Sequence, residues 1–192
     1  MEMNKVTDYI VWEDNFLEEN VSNKLERIVK SNFIEFDKAC ITGQNGENVL
    51  DENIRKTEFF CLTNYEGKLT TINLCNLIGV GFGKLIDFYG QKTNTASESV
   101  IQSMQILKYT KNGFYKRHVD HGAVTPRTLS IVYFINEDYE GGNLIFELPN
   151  KDTFKIEKKR NRCVIWPSNF LYPHKVEPVK EGVKYSIVSW TL

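Results

Sequence analysis

The spacing of apolar residues changes near the middle of the chain. In the first hundred positions, Tyr9-Ile10-Val11-Trp12 reads as a short strand. Phe16, Leu17, Val21, Leu25, Ile28 and Val29 then recur three or four apart, which predicts an amphipathic helix over about 16–31. Asp14 and Asn15 stand before it as candidate caps. Ile72, Leu74, Leu77, Ile78, Phe82, Leu85, Ile86 and Phe88 predict a second helix over about 68–90, although Gly79, Gly81 and Gly83 weaken it. The polar stretches 42–57 and 91–99 read as exposed loops. From 101 onward the pattern becomes short β-rich runs separated by turn residues, at 101–110, 114–120, 128–136, 143–148, 152–157, 162–166, 172–177 and 183–191. Asn112-Gly113 predicts a hairpin between the first two. Eight strands at this spacing predict a sandwich or barrel, and jelly rolls have that strand count. The expectation is an α+β, mainly β, single domain over 1–192, with helical support and N-terminal strands in 1–100 and a jelly-roll core in 101–192.

Composition narrows the function. The chain has 192 residues, with Lys+Arg 24 against Asp+Glu 25, a net charge of −1. Such balance argues against a protein that grips nucleic acid or an anionic membrane. Unbroken apolar stretches run to only a few residues, so no membrane span is expected. The first residues lack a basic segment followed by an apolar one, which points to an intracellular, cytoplasmic protein. Cys40, Cys61, Cys75 and Cys163 form no Cys-x-x-Cys pair and read as four reduced thiols, not a zinc site. Lys155, Lys158, Lys159, Arg160 and Arg162 read as a solvated turn, and Trp12, Phe59, Phe60 and Trp166 as core.

The three histidines all lie in the β-rich half. Within a strand, residues two apart face the same side, so His118 and Asp120 are presented together. His174 opens a later strand. Two histidines and one carboxylate leave open positions on a metal, the ligand set of non-haem Fe(II) oxygenases. His121 falls on the opposite face and reads as a loop residue. Alternation in 183–190 places Lys184, Ser186, Val188 and Trp190 on one face. A lysine inside a barrel needs an anionic partner, which a dicarboxylate would supply.

These residues sit within a longer pattern. Tyr109-x-x-x-Gly113-Phe114-Tyr115-x-x-His118-x-Asp120 resembles the first motif of Fe(II)- and 2-oxoglutarate-dependent prolyl 4-hydroxylases. Arg127-Thr128-Leu129-Ser130, Tyr139-Glu140-Gly141-Gly142-x-x-x-Phe146, His174-x-Val176-x-Pro178-Val179 and Gly182-x-Lys184-Tyr185-Ser186-x-x-x-Trp190 are similar to the motifs that follow. The resemblance is close over about 101–192. It implies a double-stranded β-helix, a cupin-like jelly-roll barrel. It also implies Fe(II) held by His118, Asp120 and His174, with O2 and ascorbate as further requirements. Lys184 would pair with the distal carboxylate of 2-oxoglutarate, Tyr109 would hydrogen-bond that co-substrate, and Ser186 would assist. Tyr115, Arg127 and Trp190 would line the substrate side. Two departures stand out. Many relatives carry arginine where this chain has Lys184. Phe134 lies near where some relatives have a co-substrate-binding tyrosine, with Tyr133 one position off, so that contact is left unassigned.

The implied activity is hydroxylation of a proline in a peptide or protein, coupled to decarboxylation of 2-oxoglutarate to succinate. The same chemistry on a free amino acid or another side chain, and a non-catalytic binding module, remain open alternatives. A nucleobase substrate is disfavoured because no arginine follows Arg162. Loops 42–57, 91–99 and 121–126 are the expected recognition elements; oligomeric state is not legible.

Overall fold

A computed structural model describes residues 5–31, 33–43, 45–63, 69–95, 99–149 and 151–192. A 3-10 turn at Val6–Tyr9 leads to strand β1 (Val11–Asp14) and helix α1 (Glu19–Lys30). Short strands follow: β2 (Asp37–Lys38), β3 (Ile41–Thr42), β4 (Asn48–Val49), β5 (Arg55–Lys56) and β6 (Glu58–Cys61). Helix α2 (Leu69–Thr93) precedes β7 (Ile101–Tyr109), β8 (Phe114–His118), β9 (Leu129–Phe134), β10 (Tyr139–Gly141) and β11 (Leu144–Glu147). The chain ends with β12 (Thr153–Ile156), β13 (Arg162–Pro167), β14 (His174–Val176), β15 (Val179–Gly182) and β16 (Lys184–Thr191).

The strands form two main antiparallel sheets. The larger has the order β1-β13-β9-β16-β7-β6-β2, and the smaller has the order β12-β11-β14-β8-β5. The larger sheet is covered on both faces, and alternation sorts its residues. Ile106, Ile131, Tyr133, Cys163, Ile165 and Ile187 face the helices, where they pack with Leu25, Val29, Ile78, Phe82 and Leu85. Phe134, Val164 and Trp166 face the smaller sheet, where they meet Leu144, Phe146 and Ile156. Every residue of β16 is buried, as two-sided coverage requires. The result is the expected jelly-roll sandwich with helices against one sheet.

Several local expectations change. The first helix begins at Glu19, and no side chain caps it. The segment before it is held by Asn161 instead: Phe16 N–H donates to Asn161 O, Leu17 N–H to Asn161 Oδ1, and Asn161 Nδ2 to Leu17 O. Phe16 and Leu17 are apolar because they pack on α2, where Gly81 admits them; a Cβ there would lie 2.9 Å from the Phe16 ring. Asp14 is no cap but a strand residue paired with Arg162. Helix α2 is long and apolar enough to cross a membrane by length and composition, although polar residues interrupt its apolar ones so that no long unbroken run forms. Much of that apolar character packs against the sheet, through Leu74, Ile78, Phe82 and Leu85.

Asn112-Gly113 does not close a hairpin. β7 belongs to the larger sheet and β8 to the smaller, so the turn carries the chain across the sandwich. Asn112 takes a positive φ of 63° there, and its N–H donates to Val179 O. The basic cluster is not simply solvated. Arg160 pairs with Glu19 and Glu26 and thereby clips α1 to the barrel, while Arg162 pairs with Asp14. The stretch 42–57 contains β4 and β5 and buries Arg55 and Thr57, so it is only partly an exposed loop. Of 91–99, Gln91 to Thr93 belong to α2 and Thr93 is buried. Residues 68, 44 and 96–98 of these segments lie outside the described residues.

Candidate metal centre

The histidines meet because β14 and β8 pair antiparallel with His174 opposite His118. Their ring centroids are 4.3 Å apart. Strand β8 ends at His118, so Asp120 does not lie beside it on a continuous strand as the spacing predicted. It sits on the bend that follows and is steered inward by β9, whose Ser130 hydroxyl donates to Asp120 Oδ2 at 2.7 Å. The Ser130 and Ser168 hydroxyls are in turn 2.7 Å apart. Asp120 Oδ1 is 3.5 Å from His118 Nε2, and Oδ2 is 3.5 Å from His174 Nε2. One donor atom from each of the three lies within 4.8 Å of the others, the one such metal-capable cluster among the described residues.

The donor set has the chemistry of a metal site. His118 Nδ1 faces Lys116 O at 2.8 Å, and His174 Nδ1 faces Tyr172 O at 3.1 Å. Each carbonyl fixes the tautomer with the proton on Nδ1, leaving the Nε2 lone pair toward Asp120. These backbone partners were invisible in the sequence. Burial, reinforced by His118, pushes the His174 imidazole down to about 4, so it is neutral at ordinary pH. Burial alone would raise the Asp120 carboxyl. The two imidazoles and the Ser130 hydroxyl outweigh it and hold the group well below the usual carboxylate range. Two imidazole Nε2 atoms facing a buried carboxylate fit a divalent cation. His121 stands outside the cluster; its Nδ1 faces Arg127 O at 2.8 Å and braces the 121–126 loop.

A cavity of about 290 Å³ opens onto these three residues. Tyr109, Tyr115, Arg127 and Trp190 line it, as do Arg55 and Trp166. Tyr115 stacks on the His118 ring with centroids 3.6 Å apart, and the Arg127 guanidinium lies 3.7 Å from the Trp190 centroid. Trp166 is more than core, because its ring meets His174 edge-on at 5.1 Å and its buried Nε1 has no hydrogen-bond partner. Phe59 also reaches the cavity wall, whereas Trp12 is exposed. Arg55 is the residue that sequence reasoning missed. Its signal was slight: one arginine in a polar segment, two residues before Thr57.

Lys184 and Ser186 are both buried but are not part of the cavity wall. Lys184 lies across β16–β7 from Tyr109, with Nζ 5.4 Å from the centroids of Tyr109 and Phe134. It donates to Gly142 O at 2.8 Å, and no carboxylate pairs with it among the described residues. Burial, with Lys158 nearby, depresses its pKa to about 7. A buried ammonium without a counter-ion fits an arriving anion such as the distal carboxylate of 2-oxoglutarate. Tyr133 faces the helices instead, bonded to Ser22 Oγ at 3.0 Å and Asn161 Oδ1 at 3.1 Å. It is therefore not the missing co-substrate tyrosine.

Residues 104–192 match the 2OG-Fe(II) oxygenase superfamily. These residues form a 2OG-Fe(II) oxygenase domain. The domain's iron ligands, in that family's chemistry, fit the His118, Asp120 and His174 cluster. A PKHD-type hydroxylase of Crocosphaera subtropica is 33% identical over 98 residues, 47% of this chain and 42% of that protein. One from Pseudomonas fluorescens is 33% identical over 96 residues, 43% of this chain and 40% of that protein. The matched segment thus spans less than half of these relatives. Solved structures extend the likeness in fold to nearly the whole chain. A Pseudomonas putida prolyl-4-hydroxylase superposes with a TM-score of 0.72 at 20% identity, covering 95% of this chain and 91% of that one. A Trichoplax adhaerens prolyl hydroxylase, solved with a hypoxia inducible factor peptide fragment, gives 0.73 at 19% identity, covering 97% and 84%. A viral collagen prolyl hydroxylase from Paramecium Bursaria Chlorella virus-1, solved with 2OG, gives 0.60 at 19% identity, covering 95% of each chain.

Proposed function

We propose that residues 1–192 act as one Fe(II)- and 2-oxoglutarate-dependent hydroxylase whose substrate is a proline in a peptide or protein. The observation that carries this is the convergence of His118, Asp120 and His174 with both Nε2 lone pairs turned to the carboxylate. Iron(II) with 2-oxoglutarate supplies O2 activation, and the co-substrate leaves as succinate and CO2. The protein's own residues bind and orient. His118, Asp120 and His174 hold the metal, and Lys184 neutralises the co-substrate's distal carboxylate, with Tyr109 and Ser186 on the same buried face. Tyr115, Arg127 and Trp190 shape the substrate side, and the apolar walls exclude water.

The peptide reading is supported by the cavity's open, aromatic substrate side and by the likeness in fold to a hydroxylase solved with a peptide. Incubation with proline-containing peptides, Fe(II), 2-oxoglutarate and ascorbate should add about 16 Da per modified site, with matching succinate. Succinate release without mass gain on any proline peptide would overturn the substrate assignment. No succinate at all would leave a binding module.

A further inference from the structure

The cavity holds more positive charge than its metal ligands explain. Arg55 enters from β5 and is 9% exposed. Its guanidinium stands 4.8 Å from the Tyr115 centroid, and Nη1 donates to Cys40 O at 3.0 Å. Its Nε is buried and has no hydrogen-bond partner. Arg127 stacks on Trp190, and its Nε reaches only the neutral amide oxygen of Gln102, at 3.4 Å. Asp120 is the one carboxylate among the described lining residues. It lies 4.0 Å from Arg127 Nη1 and is already committed to Ser130 and the two imidazoles.

The two guanidinium groups address the same space. Two guanidinium groups withdrawn from water on one cavity wall are costly unless an anion joins them. A guanidinium offers a planar fork of donors that matches a carboxylate with two parallel hydrogen bonds. The Arg55 Nε–H is a buried donor awaiting an acceptor, and a carboxylate fills that place with a charge-assisted bond that a neutral carbonyl lacks.

We propose that the substrate brings a carboxylate to the cavity wall formed by Arg55 and Arg127, and that Arg55 makes the enzyme select a proline accompanied by an acidic group. This rests on the hydroxylase reading for the identity of the target residue. The carboxylate has two possible sources, an Asp or Glu side chain beside the proline in a peptide, or the α-carboxylate of a free amino acid.

The test is calorimetric titration of the protein loaded anaerobically with Fe(II) and 2-oxoglutarate. Four probes are used: a short proline peptide with blocked termini and Glu next to the proline, the same peptide with Gln, free proline, and prolinamide. The acid should bind about tenfold or more tightly than its amide in one of the two pairs. The pair that discriminates names the source. Arg55→Gln should remove the discrimination while leaving 2-oxoglutarate affinity unchanged. Equal affinities within both pairs, or no binding of any probe, overturn the proposal, and this holds without a folded variant. Mass spectrometry of the same probes under air separates the two ideas. Hydroxylation without discrimination sinks the carboxylate site alone. Discrimination without hydroxylation of any probe sinks the hydroxylase reading and leaves the carboxylate site standing.

Discussion

His174 lies directly opposite His118 across the antiparallel pair β14–β8, with the two rings 4.3 Å apart and tilted by 57°. Residues 56 positions apart in the chain thus become neighbours through strand register. A slip of one residue would turn one ring to the far face of the sheet. The metal-binding geometry and the folding of the smaller sheet are therefore the same specification.

Replacing His174 tests that link. His174→Ala removes one of three donors while keeping the backbone pairs Phe146↔His174 and His174↔His118. Fe(II) or Mn(II) affinity should fall by more than about a hundredfold, because even supporting residues around a metal cost 10–100-fold when lost. The circular dichroism spectrum should stay unchanged. Calorimetric metal titration checks the first expectation, and retained affinity would refute the ligand assignment.

Ser130 supports Asp120 without being a donor to metal. Its hydroxyl holds Oδ2 at 2.7 Å and shares a contact with Ser168. Ser130→Ala should weaken metal binding by about 10–100-fold and leave the fold intact. A variant with unchanged metal affinity would show that the bend after β8 positions Asp120 unaided.

Lys184 gives a pH dependence of defined sign. Its pKa falls from 10.5 in an unfolded chain to about 7 when buried. Between these values the unfolded state binds the extra proton, so stability rises with pH. The slope from this group is at most about 1.4 kcal/mol per pH unit. Urea unfolding of the apoprotein at pH 7 and pH 9 should show this rise, and Lys184→Met should lack it. Co-substrate binding should reverse the shift, because a carboxylate beside the amine favours its charged form. Titration of 2-oxoglutarate at pH 8 in buffers of differing ionisation enthalpy should then reveal proton uptake. Its absence would place the co-substrate elsewhere.

The jelly roll was legible because strand periodicity reports on local geometry, and the clustering of His118, Asp120 and His174 because motif spacing does, although Asp120 stands on the bend after β8 and not on the strand. All eight predicted strands in 101–192 exist. The short strands β10 and β15 were not seen, since Tyr139–Gly141 and Val179–Gly182 are polar and glycine-bearing and pair only with each other. Arg55 was misplaced for a related reason. Its burial comes from β5 docking on β8, a contact between residues 60 apart that no local pattern encodes. Asn161 holding Phe16 and Leu17, and Arg160 reaching Glu19 and Glu26, are likewise long-range substitutes for a helix cap.

Tyr133 separates a structural from a catalytic tyrosine. It projects from β9 toward the helices, on the opposite face from Phe134. Its hydroxyl lies in a buried triad with Ser22 on α1 and Asn161, the residue that also anchors Leu17. Burial raises its pKa to about 12, so it stays a neutral donor throughout the working range. Tyr133→Phe leaves the buried Ser22 hydroxyl without that partner and should cost about 1–3 kcal/mol by denaturant unfolding. Amide exchange should quicken first in α1, whose docking depends on the triad. The KM for 2-oxoglutarate should not move, since the hydroxyl lies on the helix side of the sheet. A raised KM with unchanged stability would mean that Tyr133, and not the buried face around Lys184, supplies the missing co-substrate contact.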